Sequence, residues 1–349
     1  MALPPFLPQG AAALNGIDTL REQARQALDP AIWDYLEADA GGGSGVSAEE
    51  AWNRRSLRPH ILRGVDKVDV STTLLGHPLA LPILTAPNGR ATLFCPDGEL
   101  GLLEATEAAG TVALLPSSVA AHAGALRALR PKARFWQQLY MERERQAMRD
   151  LLGALAEAGC EAIVLTVDLL PGAVPAPPRP GPAPWEASAG RTEPAKAFTA
   201  TTLDDLAWLC GEARLPVLVK GVLRGDDALS CVEAGAAGLI VSNHGGNQLD
   251  TIIPSAEVLG EVVEACAGRA EILVDGGLRT GTAILKALAL GARAVLVGRP
   301  TSYALAAGGA EAVAAMLAML KDELERAMAL CGASKIEGLD PSLVKVPAL

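Results

Sequence analysis

Eight short apolar segments alternate with helical patterns along this sequence, and the alternation predicts an α/β protein of the (β/α)₈ TIM barrel class. The 349 residues are enough for one large barrel with a sizeable core. A further observation is the placement of polar residues, which recur where six consecutive apolar segments end. Enzymes of this fold place their chemistry at that end of the strands.

Each apolar segment has the length and composition of a strand that is buried on both faces. The predicted strands are residues 82–87, 111–115, 134–140, 162–168, 216–222, 238–244, 271–275 and 294–299. Stretches with helical spacing lie between most of them, at residues 98–109, 145–158, 226–234, 255–267 and 281–290. We therefore predict a single domain that spans residues 1–349.

Two flanking regions are predicted to attach to this barrel. Residues 1–75 contain a helical pattern at 17–38 and a glycine run at 41–43, and we expect them to form an N-terminal helical cap. Residues 169–200 follow the fourth strand and are rich in Pro, Ala and Gly, which predicts a flap loop at the mouth of the site. A disordered insertion without function is the alternative for this segment.

The charge and cysteine patterns argue against several kinds of partner. The net charge is −10 and no basic stripe is present, so we expect no nucleic acid partner and favour a small-molecule ligand. The six cysteines lack the spacing of metal ligands, which predicts buried thiols and no metal site. The N-terminus lacks a signal-peptide pattern, and no apolar run approaches the ~20 residues of a membrane span. We therefore expect a soluble, cytoplasmic protein.

Polar side chains end the third to the eighth predicted strands. They are Gln138 and Tyr140, Thr166 and Asp168, Lys220, His244, Asp275, and Arg299. The carboxyl ends of the strands meet at one face of a barrel, so we expect these groups to surround a common site. His244 combines an ionisable ring with flanking glycines that leave room for a ligand, as a catalytic base requires.

The loops after the last two strands have the features of a phosphate site. This fold binds phosphate there through backbone N–H groups and a nearby helix N-terminus. The glycines permit close approach of the backbone, and the arginines offer forked donors. The predicted phosphate site consists of Asp275, Gly276, Gly277, Arg279, Gly298 and Arg299.

Residues 242–250 read Ser-Asn-His-Gly-Gly-Asn-Gln-Leu-Asp, and this segment resembles the signature of the FMN-dependent 2-hydroxy acid oxidase and dehydrogenase family. Glycolate oxidase, lactate oxidase and mandelate dehydrogenase are members. The resemblance extends from the helical pattern around Tyr35, through residues 75–83, to residues 328–332. It implies FMN as the cofactor, bound at the mouth of the barrel, and a homo-oligomeric enzyme.

The resemblance also implies a role for each polar residue. His244 would be the base that takes a proton from the substrate, with Asp168 orienting its ring and Tyr140 as a further catalytic group. Lys220 would lie beside the flavin ring, where a cation stabilises the reduced form. The other implied cofactor contacts are Pro87, Asn88, Gly89, Ser117, Gln138, Thr166, Ser242, Gly245 and the predicted phosphate site.

Tyr35 and Asn247 are the implied substrate contacts, and Asn247 departs from the family pattern. Most members carry an arginine there that binds the substrate carboxylate, and a second arginine is replaced within residues 172–175. A carboxylate without such a partner is costly to bury. Arg90 and Arg179 are the alternatives for a relocated cation.

Three functions follow from these observations. We favour an FMN-dependent oxidoreductase that acts on an atypical substrate, namely an amine, an amide or a carrier- or peptide-linked alcohol. The alternative is a standard 2-hydroxy acid oxidase or dehydrogenase that gives a 2-oxo acid. An alternative of another class is a catalytically silent flavin-binding or scaffold homologue. Oxygen, a quinone and a partner protein are all open as the electron acceptor.

Overall fold

The computed structural model describes residues 16–38, 46–169 and 200–346. Most of the predicted flap, residues 170–199, lies outside these ranges, as does the glycine run at 41–43. The flap therefore stays a prediction. The described part of the predicted cap forms helices and short strands that pack against the barrel.

Within the described residues, eight parallel strands close into a barrel, which confirms the predicted fold class. They are β4 (Ile83–Thr85), β5 (Val112–Leu115), β6 (Arg134–Leu139), β7 (Ile163–Thr166), β8 (Val217–Val222), β9 (Gly238–Val241), β10 (Glu271–Val274) and β11 (Ala294–Val297). Strand β11 pairs with β4 and closes the barrel. Short antiparallel pairs join β1 (Ser56–Leu57) to β12 (Val344–Lys345) and β2 (Thr72–Leu74) to β3 (His77–Leu79).

Each barrel strand lies within a predicted segment, but most of the predicted C-terminal ends extend too far. The predicted segments include Tyr140, Asp168, His244 and Arg299, whereas the ladder ends before each of these residues. The ladder of β9 ends at Val241, and His244 follows three residues later with a left-handed φ of 54° that is incompatible with a strand. The chain therefore leaves the barrel at the residues that carry the polar groups.

An apolar cluster fills the inside of the barrel. Every barrel strand contributes to it, through Leu84, Val112 and Leu114, Trp136, Ala162 and Val164, Leu218, Ile240, Leu273, and Ala294 and Leu296. Leu74 and Leu79, from the β2–β3 hairpin, join the same cluster. Because this hairpin directly precedes β4, it covers the N-terminal end of the barrel and leaves the C-terminal end for the site.

Helices form the outer layer. They are α4 (Gly98–Ala109), α5 (Ala123–Leu129), α6 (Arg145–Glu157), α7 (Leu203–Glu212), α8 (Gly225–Glu233), α9 (Ser255–Cys266), α10 (Gly281–Ala289) and α11 (Arg299–Leu330). The 3₁₀ helices are Ala91–Leu93, Ser117–His122, His244–Gly246, Ile336–Gly338 and Pro341–Leu343. Each helix predicted between strands is present to within one or two residues at its ends.

The cap contains α1 (Ile17–Ala27), α2 (Pro30–Glu37) and α3 (Ala48–Asn53). The helical pattern at 17–38 is thus two helices. Asp29 separates them, because its carboxylate accepts a hydrogen bond from Ala31 N at 2.8 Å and Pro30 occupies the first helical position.

Among the described residues, α11 is long and apolar enough to cross a membrane by length and composition alone. This corrects the expectation that no segment has these properties. Gly308 and Gly309 have non-helical backbone angles and interrupt the helix. Leu317, Leu320 and Leu324 are fully buried, and the helix packs against α1, α4 and α10. Part of its apolar surface is therefore buried against the neighbouring helices.

Candidate active site

The predicted site residues gather at the C-terminal end of the barrel, and the period of the strands explains why. Side chains two residues apart in a strand point the same way. Gln138 follows the interior Trp136 by two residues, and the same spacing relates Thr166, Lys220, Ser242 and Asp275 to interior residues of their own strands. All five are buried. They therefore form a polar layer above the apolar interior.

His244 and Asp168 form the central pair of the site. The imidazole Nδ1 lies 2.8 Å from Oδ1 of Asp168, and the two side chains are 27% and 13% exposed. An ionised carboxylate accepts a hydrogen bond from an N–H group at Nδ1, so in the neutral ring Nε2 is the nitrogen with the free lone pair. This is the arrangement that a general base requires.

The environment keeps Asp168 ionised. Burial alone would raise the pKa of its carboxyl, but the hydrogen bond with His244 and the positive charge of Lys220 outweigh burial and hold the pKa below its usual range. The second carboxylate oxygen, Oδ2, is buried without a hydrogen-bond partner among the described residues. Asp168 therefore places a negative charge beside Nδ1 of the imidazole, and its Oδ2 can still accept a hydrogen bond.

The backbone of His244 is held in a strained conformation. Its φ of 54° lies in the left-handed region, where a side chain costs energy unless the surroundings fix it. His244 N donates to Ser242 Oγ at 3.1 Å, and its carbonyl accepts from Asn247 Nδ2 at 3.0 Å. Gly245 and Gly246 also have positive φ and continue the turn. The turn thereby directs the imidazole of His244 toward Asp168.

Lys220 is a buried cation with a defined set of partners. Its Nζ donates to Ser242 Oγ at 2.7 Å and lies 3.1 Å from Asp275 Oδ2. An ammonium group has three hydrogens, so one remains without a partner among the described residues. This remaining donor is available to a ligand at the mouth.

Several other buried polar atoms in this layer lack partners among the described residues. They are Gln138 Nε2, Thr166 Oγ1 and Asp275 Oδ1. Buried polar atoms are rarely left unsatisfied in folded proteins, so these atoms indicate a polar ligand. A flavin ring presents N–H and C=O groups along one edge, and the polar groups at the ends of β6 and β7, with Lys220 on the neighbouring β8, fit such an edge. The residues present therefore fit FMN.

The predicted cofactor residues Asn88 and Ser117 have defined partners within the protein. Asn88 Nδ2 donates to Gly298 O and to Ser302 Oγ, both at 2.8 Å, so it joins the loop after β4 to the loop after β11. Ser117 N donates to Gln138 Oε1 at 2.9 Å and orients that amide. Pro87 and Gly89 flank Asn88 and are half-buried. Direct contact of these residues with FMN stays a prediction.

The predicted phosphate loop is partly engaged with the cap. Arg279 Nε lies 3.0 Å from Glu49 Oε1, and Nη1 donates to Leu278 O at 3.2 Å. Burial lowers the pKa of the Arg279 guanidinium, and the charge of Glu49 opposes this effect. Sequence reasoning missed Glu49, because only the fold brings it to the loop.

Arg299 joins three segments of the chain. Its Nη2 donates to Gly245 O at 2.9 Å and to Ala38 O at 3.1 Å, and its Nε donates to Leu36 O at 3.3 Å. The guanidinium thus ties the cap to the turn that carries His244. Its predicted contact with a phosphate is not tested by these interactions.

Tyr140 is half-buried near the central pair. Desolvation raises the pKa of its phenol to about 12, with further contributions from the charge of Asp168 and from Tyr35. The phenol is therefore neutral and can donate a hydrogen bond at ordinary pH. Tyr35 is therefore close enough to Tyr140 to influence its pKa.

Asn247 belongs to the turn of His244, and its side chain carries no charge. Arg90, an alternative cation, is exposed and has a left-handed φ of 60°. Residues 172–175 and Arg179 lie outside the described residues. The absence of a substrate-binding arginine at Asn247 therefore stays a prediction. The second expected replacement, within residues 172–175, lies outside the part of the chain that the structure describes.

Comparisons with known proteins give one consistent result. A family model for FMN-dependent dehydrogenases matches residues 24–174 and 181–346. A peroxisomal (S)-2-hydroxyacid oxidase of Arabidopsis thaliana is 36% identical, over 94% of this chain and 96% of that protein. The 4-hydroxymandelate oxidase of Amycolatopsis orientalis is 38% identical, over 91% of this chain and 94% of that protein.

A solved structure extends the likeness to the fold. It is a mandelate oxidase in which one arginine is replaced by leucine, in complex with 2-hydroxy-phenylacetamide. It superposes with a TM-score of 0.83 at 35% identity, over 97% of this chain and 100% of that chain. The relatives favour the standard 2-hydroxy acid hypothesis over the atypical substrate. The chain belongs to the FMN-dependent 2-hydroxy acid oxidase and dehydrogenase family and is an oxidoreductase with FMN as its cofactor.

Proposed function

We propose that this protein oxidises a 2-hydroxy acid to the corresponding 2-oxo acid, with His244 as the base. The observation that carries the proposal is the 2.8 Å contact between His244 Nδ1 and Asp168 Oδ1 at the mouth of the barrel. When bound, FMN supplies the acceptor for the two electrons that leave the substrate. The protein itself must bind the substrate, orient it and remove a proton.

The His244–Asp168 pair performs the proton transfer. Nε2 of His244 receives the proton from the substrate, since Nδ1 is directed to Asp168. The ring becomes positively charged in this step, and the ionised carboxylate beside it stabilises that charge. Ser242 and Asn247 hold the backbone of His244, and the contact with Asp168 orients its ring before the substrate binds.

The two tyrosines position the substrate. Tyr140 is neutral at ordinary pH and donates its hydrogen bond to the substrate oxygen atoms, and Tyr35 supplies a second hydroxyl at the same mouth. Lys220 provides a buried positive charge beside the reacting centre, supported by Asp275. The silent-homologue hypothesis is less favoured, since His244 contacts Asp168 and the relatives named above are oxidases.

An anaerobic absorbance titration of the flavin tests this function. We expect (S)-mandelate or a shorter 2-hydroxy acid to bleach the flavin of the wild-type protein. The His244→Gln variant should retain the yellow flavin but lose bleaching by about 10²- to 10⁴-fold in rate. His122→Gln, which changes an exposed histidine, is the matched control and should behave as wild type. An unchanged rate in His244→Gln would reject His244 as the base.

A second candidate is an uncharged substrate such as a 2-hydroxy amide or an amine. The observation that favours it is Asn247, whose neutral amide stands on the turn of the base and donates to His244 O. The mandelate oxidase variant that lost an arginine was solved with an amide, 2-hydroxy-phenylacetamide. Titration with this amide beside (S)-mandelate separates the candidates, because bleaching by the amide alone would establish the atypical substrate.

Three further expectations belong to the same proposal. We propose oxygen as the electron acceptor, since the relatives are named oxidases, and hydrogen peroxide release during turnover is the test. A quinone or a partner protein is the alternative acceptor. A homo-oligomeric assembly is to be checked by light scattering. The expected cytoplasmic location contrasts with the peroxisomal Arabidopsis relative and is to be checked by fractionation.

A further inference from the structure

The short cap helix α3 lies against the loop that follows β10. This loop, residues 275–279, contains most of the predicted phosphate site. Ser47 caps the helix, and its Oγ accepts from Glu50 N at 3.0 Å. Three separate contacts join α3 to the loop, and each of them constrains a group that a phosphate would need.

Trp52 constrains the peptide between Gly276 and Gly277. The indole is fully buried, and Nε1 donates to Gly276 O at 2.8 Å. In a trans peptide the C=O and the following N–H point in opposite directions. Because Gly276 O points toward Trp52, the N–H of Gly277 points away from α3. Trp52 is itself fixed, since its carbonyl accepts from the buried Lys286 Nζ at 2.9 Å.

Gly277 allows α3 to approach the loop this closely. Its φ is +74°, and a Cβ at this position would lie 2.2 Å from both C and O of Ala48. No residue with a side chain fits against the helix there. The helix backbone therefore occupies one side of the loop, and the Gly277 N–H faces the other side.

Glu49 constrains the arginine of the same loop. Its Oε1 lies 3.0 Å from Arg279 Nε, and Nη1 of the arginine donates to Leu278 O. The Arg279 side chain is 17% exposed, whereas that of Glu49 is 51% exposed. Arg279 Nη2 keeps its hydrogens without a hydrogen-bond partner among the described residues. The carboxylate thus holds the guanidinium from one edge and leaves Nη2 for a ligand.

We propose that Trp52 and Glu49 are positioning residues for the phosphate of FMN, acting through Gly277 N–H and Arg279. This inference rests on the assignment of the phosphate to residues 275–279. A nearby carboxylate also repels a phosphate, but Glu49 is half exposed and water screens its charge. Arg279 is nearly buried and depends on Glu49 for its orientation. In a variant without the Glu49 carboxylate, the loss of this orientation should therefore weaken phosphate binding more than the loss of the repulsion strengthens it.

The test compares FMN with riboflavin, which has the same ring and lacks the phosphate. Binding to the flavin-free full-length protein is followed by quenching of flavin fluorescence. We expect Glu49→Gln and Trp52→Phe each to raise the Kd for FMN by about 3- to 10-fold, the equivalent of one weakened hydrogen bond. The Kd for riboflavin should stay within about twofold. Glu50→Gln, on the same helix, is the matched control and should change neither value.

A double variant tests whether Glu49 acts through Arg279. In an Arg279→Gln background, Glu49→Gln should add no further loss of FMN affinity. A full additional loss would overturn the proposed route. Equal weakening of FMN and riboflavin would show a merely structural role and overturn the proposal, as would unchanged FMN affinity in both single variants. If wild-type protein binds FMN no tighter than riboflavin, the phosphate assignment itself fails, whatever the outcome of the substrate titration.

Discussion

Gly221 lies directly against the side chain of Asp168. A Cβ on this glycine would be 2.6 Å from both Cβ and Cγ of the aspartate. The backbone of Gly221 has a φ of +109°, and the pairing of β8 with β9 shifts register between Lys220 and Val222. The irregularity in β8 therefore creates the space in which the partner of His244 is held.

Replacing Gly221 with alanine should break this arrangement. The new Cβ is strained by the backbone and displaces Asp168, so we expect a loss of about 1–3 kcal/mol in the free energy of unfolding. The rate of flavin reduction should fall at least about 10-fold, because a displaced carboxylate no longer orients His244. Gly211→Ala, at an exposed helical position with open space around it, is the control and should be neutral or slightly stabilising.

Asp168→Asn should change the dependence of stability on pH. The folded pKa of Asp168 is depressed, so its contribution to stability is present above the unfolded value of about 4 and is lost as the pH falls through the folded value. The Tm of wild-type protein should therefore exceed that of the variant at pH 6, and the difference should shrink below about pH 4. Asp150→Asn, at an exposed position, is the control. A Tm difference that grows toward acid pH would contradict the ionised pair.

The period of two in a strand explains why much of the site could be predicted from the sequence. Gln138, Thr166 and Lys220 each stand two residues after an interior apolar side chain, so assigning the strands already placed them at one mouth. The strand ends were less predictable. No local pattern marks the end of the ladder at Val241 or the left-handed backbone of His244 that follows it.

Contacts between distant segments could not be predicted in this way. Trp52 and Gly276 are 224 positions apart in the chain, and the pattern of α3 shows only a short helix after a capping serine. Gly221 is a similar case, since its role depends on the side chain of Asp168, which follows the neighbouring strand β7. Such residues can be recognised in the folded structure. The sequence next to them gives no sign of the contact, because the partner residue lies far away in the chain.

Lys220→Met should destabilise the protein strongly. The substitution leaves the Asp275 carboxylate nearly buried without its cation, and breaking one side of a buried ion pair costs about 3–5 kcal/mol. Chemical denaturation measures this loss. Adding Asp275→Asn to the variant should restore part of it, since the unpaired charge is removed. Lys132→Met, at an exposed lysine, should have no measurable effect; a comparable loss there would point to a nonspecific cause.

Tyr140→Phe should lower activity without altering its pH profile between pH 6 and 10. The pKa of Tyr140 is raised to about 12, so its phenol does not ionise in that range and serves only as a hydrogen-bond donor. Loss of a hydrogen bond to a charged substrate group should lower kcat/KM by about 10- to 100-fold. If an ionisation below pH 10 disappears in the variant, Tyr140 exchanges a proton during turnover and the donor role is wrong.

Asn247→Arg should shift specificity toward carboxylates. A guanidinium on the turn of His244 offers a charge-assisted hydrogen bond, which we expect to lower the KM for (S)-mandelate by about 10- to 100-fold and to leave that for 2-hydroxy-phenylacetamide unchanged or higher. Gln248→Arg adds the same charge one residue further along and controls for a general electrostatic effect. An equal decrease in the KM for (S)-mandelate in both variants would show that the added positive charge acts through a general electrostatic effect. An unchanged KM for the acid in Asn247→Arg, with an active wild type, would show that another cation, such as Arg90, already binds the carboxylate.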